Sequence, residues 1–146
     1  MLKSILKKIY FFKSLRKARE QLKICKAMSD HEFASACKVT GENEPTAIAI
    51  RKVFADICNV PKENITPDVN FDNIFNAMKC GLLRGWDRTD FVLRLRRELK
   101  AKIILPFDVF DSFKEIDLDC IRFKDVLLLL LDKLEIKETD SGQTVG

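Results

Sequence analysis

Apolar residues recur at three- and four-residue spacing in four stretches of this chain, and each stretch predicts a helix. In the first, Ile5, Ile9, Phe12, Leu15, Ala18, Leu22 and Cys25 are interleaved with lysines and arginines. The second begins at Thr46. There Ile50, Val53, Phe54 and Ile57 form one apolar face, with Arg51, Lys52 and Asp56 expected to turn outward. The third starts at Trp86 or Asp87, ends at Leu99, and buries Phe91, Val92, Leu95 and Leu99. The fourth, residues 122–134, buries Leu127, Leu130, Leu131 and Leu134 and carries Leu128 and Leu129 on its other side. A helix apolar nearly all round needs two covers. The body supplies one; the first helix, or a second copy of the chain in a homodimer, is expected to supply the other.

Turn and cap signals punctuate these stretches. Ser29 and Glu32 form the Ser-x-x-Glu pattern of a capping box, which predicts a short helix running to about Lys38. Residues 40–45, Thr-Gly-Glu-Asn-Glu-Pro, oppose helix continuation and read as a linker at a domain boundary. Asn59-Val60-Pro61 stops the second helix. Residues 61–72 then read as a long ordered loop from which Ile65, Val69 and Phe71 reach inward, and residues 107–113 as an aromatic loop or short helix. The predicted organisation is a helical arm (1–28), a short helix and linker (29–45), a helical bundle (46–138) and a disordered polar tail (139–146).

Charge changes this picture by setting the arm apart. Residues 1–28 hold nine Lys or Arg against Glu20 alone, a surplus of eight, so the rest of a chain with net charge +4 is acidic by four. Such an arm can pack on the body, dock a protein partner or lie on an anionic membrane. Nucleic acid is not the expected partner, because phosphate binding alone would not need the apolar stripe. Lysines interrupt every apolar run, which argues against a secretory signal. With no apolar run approaching 18 residues, the expectation is a soluble, cytoplasmic protein, peripheral at the inner membrane surface where the arm meets lipid.

Little in the composition suggests catalysis. Cys25, Cys37, Cys58, Cys80 and Cys120 are odd in number and widely spaced, which reads as free thiols in a reducing compartment rather than a disulfide framework or zinc site. His31 is the only histidine, so no metal constellation forms around it. With no nucleophile and base set and no glycine-rich phosphate loop, the chain is not expected to be an enzyme or to hold a metal.

The order of elements carries a resemblance. A helix, a long loop with Pro and Asp, a helix ending in Arg97-Glu98-Leu99-Lys100-Ala101-Lys102-Ile103, and a closing helix entered through Phe123-Lys124-Asp125-Val126 together resemble an acyl carrier protein. The stretch AIRKVFADICNVPKENITPDVNF is the most similar part, and the resemblance covers about residues 46–136. It implies an all-α fold, an acyl-carrier-like four-helix bundle with the basic amphipathic helix added at its N-terminus.

In that family the second long helix opens with Asp-Ser-Leu, and the serine carries a 4′-phosphopantetheine arm. Aligned without gaps on Leu99 and Ile103, the triplet falls on Arg84-Gly85-Trp86; aligned on Trp86-Asp87, the serine position falls on Arg88. Neither register supplies a hydroxyl, and Thr89, Ser112 and Cys80 are poor substitutes by position. The family's second helix is also acidic, whereas this one carries Arg84, Arg88, Arg94, Arg96, Arg97, Lys100 and Lys102 against Asp87, Asp90 and Glu98. Like charge would repel the family's usual enzymes. The expectation is therefore a module without a cofactor that docks a protein partner, one with an acidic surface, through Arg84, Gly85, Trp86, Arg88, Arg94 and Arg97. An atypical carrier modified elsewhere or by a dedicated transferase, and a lipid-binding adaptor using the arm, are the alternatives.

Overall fold

The computed structural model describes residues 2–78, 88–109 and 120–137. Cys80, Arg84, Gly85, Trp86, Ser112 and the tail at 139–146 lie outside the described residues. Six α-helices account for most of what is described: α1 (Leu2–Lys23), α2 (Asp30–Ala36), α3 (Asn43–Cys58), α4 (Phe71–Ala77), α5 (Arg88–Leu99) and α6 (Phe123–Lys133). A short 3-10 turn, Lys62–Asn64, follows α3, and two three-residue strands, β1 (Lys102–Ile104) and β2 (Glu135–Lys137), pair antiparallel.

Local chemistry accounts for the helix ends. The Ser29 hydroxyl accepts the Glu32 amide at 3.2 Å and donates to the Glu32 carboxylate at 3.1 Å, fixing the start of α2. Gly41 takes the left-handed turn, φ +65°, that admits α3. Asn59 closes α3 in the left-handed region, and the Val60 amide reaches back to the Ala55 carbonyl at 3.0 Å, satisfying an end carbonyl before Pro61. At α6 the Asp125 carboxylate accepts the Arg122 amide at 3.0 Å.

The core is built around α3. Phe54 meets the rings of Phe71, Phe91 and Phe123 at centroid distances of 6.0, 5.2 and 5.3 Å, so one residue joins α3, α4, α5 and α6. Phe33 of α2 lies 5.9 Å from Phe123, which places the segment before the 40–45 linker in the same core as the segments after it. Residues 67–71 are laced to the entry of α6: Phe71 donates its amide to Ile121 at 2.8 Å, and Phe123 donates to Val69 at 2.9 Å. Phe91, Leu95, Leu127 and Leu130 are buried as their spacing predicts, while Val92, Leu99, Leu131 and Leu134 are half-buried.

Several expectations need correcting. Arg51 does not turn outward but is fully buried, because it finds acceptors for its whole guanidinium. Nε donates to the Ile65 carbonyl at 2.8 Å, Nη2 to Met28 at 2.7 Å and Glu63 at 3.2 Å, and Nη1 to the Asp30 carboxylate at 3.0 Å. The guanidinium also stacks 4.5 Å above the Phe33 ring. Burial pulls the Arg51 pKa below its ordinary value, and the Asp30 carboxylate works against that shift.

Within the predicted 61–72 loop and the segment after it, residues 71–77 form α4, packed by Phe71, Ile74 and Ala77. The arm does pack on the body, but on α4 rather than on the last helix. Leu15, Ala18 and Leu22 are buried there, Arg19 Nε donates to the Ala77 carbonyl at 3.1 Å, and buried Asn64 donates to the Cys25 carbonyl at 3.0 Å. Leu129 is half-buried against the core, and Leu128 stays 47% exposed.

Candidate interaction surface

Phe91 and Leu95 are four residues apart and fully buried, which turns the opposite side of α5 to solvent. On that side Leu93 is 44% exposed, and Arg96 and Arg97, three and four residues on, are its neighbours over the next turn. Both arginines are exposed, as are Lys100 and Lys102 just beyond the helix. Lys102 stands directly opposite Lys137 in the strand pair. None of these five cationic side chains has a hydrogen bond or ion pair among the described residues.

The other charges of α5 are internally committed. Arg94 Nε donates to Asp90, one turn earlier, at 2.9 Å. Glu98 accepts Lys52 of α3 at 2.6 Å in a solvent-exposed bridge. Arg88 is half-buried: its Nη1 donates to the Leu105 carbonyl at 2.6 Å, and its guanidinium stacks 3.8 Å above the Phe107 ring. It therefore ties the helix start to the segment after β1.

Of the residues singled out from the sequence, Arg97 is open, Arg94 is held by Asp90, and Arg88 is folded inward; Arg84, Gly85 and Trp86 lie outside the described residues. Thr89 is exposed on the first described turn of α5. Leu93, Arg96 and Lys137 were not among the expected contacts. Leu93 could have been found from its place one turn before an arginine pair. Lys137 has no local signal, since it joins the group only through strand pairing.

Two of the described cysteines, Cys37 and Cys58, are buried in the core. Burial pushes Cys37 up to about 11, so it stays protonated at neutral pH. Cys58 is buried and donates to the Ile74 carbonyl at 3.4 Å. Comparison with protein-family models, curated proteins and solved structures gives no match for this chain.

Proposed function

We propose that this chain is a non-catalytic helical interaction module of acyl-carrier-like architecture, without the modifiable serine, that docks an acidic protein partner on the basic end of α5. The observation that carries this reading is the group of cations around and beyond Leu93 that have no ion pair among the described residues, beside the Arg94–Asp90 and Lys52–Glu98 pairs of the same helix. Two of those cations are placed at local cost. Lys100 holds a left-handed backbone, φ 51°, where glycine would be less strained, and Lys102 faces Lys137 across the strand pair, where like charges are destabilising.

Arg88 supports the absence of a prosthetic arm. In the register that equates it with the family's serine, the position is filled by a guanidinium bound to Leu105 and Phe107. In the other register the vacant position is Gly85, which with Arg84 and Trp86 lies outside the described residues.

Two measurements test the proposal. Incubation with coenzyme A and a broad-specificity phosphopantetheinyl transferase is expected to leave the intact mass unchanged; a phosphopantetheine increment would make the chain an atypical carrier instead. A photo-crosslinking residue at Leu93, introduced in the native host, should capture a protein with an acidic surface. Capture should fall about tenfold when Arg96→Glu and Arg97→Glu are added, since reversed charge both slows encounter and penalises the bound state. Equal capture by both forms rules out α5 as the docking face.

A further inference from the structure

α1 has two apolar faces, and the body uses one of them. Leu15, Ala18 and Leu22 face α4, and with the Arg19 bond to Ala77 they anchor the second half of the helix. In the first half every residue from Leu2 to Tyr10 is exposed. Leu2, Ile5, Ile9 and Phe12 follow one another at three- and four-residue steps, with Leu6 beside them, and their exposures run from 47% to 71%. At 100° per residue Leu2, Ile5, Leu6 and Ile9 centre roughly 150° away from Leu15, Ala18 and Leu22, with Phe12 on the edge between the two sets. It is therefore not a continuation of the packed face.

The charges around the stripe identify what fits it. Lys3 borders it on one side and Lys8 on the other, while Lys13 lies at its far end. Residues 2–19 contain seven Lys or Arg and no Asp or Glu. We propose that the first half of α1 docks on an anionic lipid surface, lying in the plane of the headgroups with Leu2, Ile5, Leu6, Ile9 and Phe12 inserted. The lysine stems would run along the apolar layer and leave their ammonium groups among lipid phosphates. No helix of the described residues is long and apolar enough to cross a membrane, in keeping with a helix that lies on the surface.

A second copy of the chain fits the stripe poorly. Pairing two such helices would bring seven cations from each together with no carboxylate before Glu20. Because the second half of α1 is fixed to α4, lipid docking would hold the whole body at the membrane. The inference rests on α1 alone and does not depend on the α5 surface.

The test uses the full chain and vesicles of phosphatidylcholine, with and without phosphatidylglycerol. Co-flotation is expected only with the anionic vesicles and should weaken as salt is raised, because exposed charges are screened over about 8–10 Å at physiological ionic strength. Neutralising Lys3, Lys8 and Lys13 to Gln should lower partitioning about a hundredfold, given roughly fivefold per surface lysine. The triple variant Ile5→Gln, Ile9→Gln, Phe12→Gln, which keeps the charge and good helix formers, should lower it at least about tenfold. Unchanged helicity by circular dichroism shows that either variant still folds. Absence of flotation, equal binding to neutral vesicles, or full binding by the triple variant overturns the proposal. So does a lipid-free dimer, seen by sedimentation, that the triple variant dissociates, because the stripe would then belong to a second copy.

Discussion

Replacing Arg51 with alanine is expected to remove about 3–5 kcal/mol of folding stability, the usual consequence of leaving a buried ion pair and its acceptors without the cation. A domain of this size has only about 5–15 kcal/mol in all, so the loss is large. Four oxygens converge on the guanidinium from Met28, Asp30, Glu63 and Ile65. Removing it takes a donor from the Met28 and Ile65 carbonyls, while the Glu63 carbonyl keeps the Met28 amide at 3.0 Å, and it loosens the junction of α2 with the 3-10 turn. Asp30 keeps one partner, Lys62, at 2.7 Å. Lysine at position 51 should recover less than half of the loss, since an ammonium cannot fork to acceptors on three sides. Urea denaturation measures both; a shift under about 1 kcal/mol for the alanine variant would remove Arg51 as the organising contact.

The same cluster sets an acid limit. Burial acts to raise the Asp30 pKa, but Lys62 and Arg51 outweigh it and hold the carboxyl below its ordinary value near 3.8. A depressed carboxyl contributes stability above its unfolded pKa and loses that contribution as pH falls through the folded one. The wild-type protein should therefore lose this stabilisation only below pH 3.8, and Asp30→Asn should flatten that part of the stability profile.

Phe54→Ala should cost a similar amount, about 3–5 kcal/mol, for a different reason. Its ring is fully buried and shared by Phe71, Phe91 and Phe123, which come from three different helices. Truncation leaves a cavity that none of them can fill without breaking its own contacts. The more conservative Phe54→Leu, which keeps most of the volume, should cost about half as much or less. If the alanine variant unfolds at the wild-type urea midpoint, α3 is not the hub of the core.

Much of the fold is legible in the residues because its signals are local. The Ser29 cap, the Asn59-Pro61 stop and the apolar spacing of α3, α5 and α6 act within about a turn, through hydrogen bonds and side chains that sequence neighbours supply. The candidate surface is legible in the same measure: Arg96 and Arg97 are exposed because Phe91 and Leu95 are buried, and the Asp90–Arg94 pair is an ordinary i, i+4 contact. That Arg88 folds inward is not legible in the same way, because Leu105 and Phe107, which hold it, are more than a turn away along the chain.

The chain by itself determined a helical protein with a basic amphipathic arm, and which faces of three main helices are apolar. Only the tertiary structure decided that Arg51 is inside, that residues 71–77 coil into a helix, that Lys102 meets Lys137, and that α1 gives one face to α4 and leaves another open. Each of these depends on groups distant in sequence. A wheel position on the edge of an apolar face can be buried or exposed, and for Arg51 the choice fell inward because carbonyls and a carboxylate from 12 to 23 residues away arrive there to meet it.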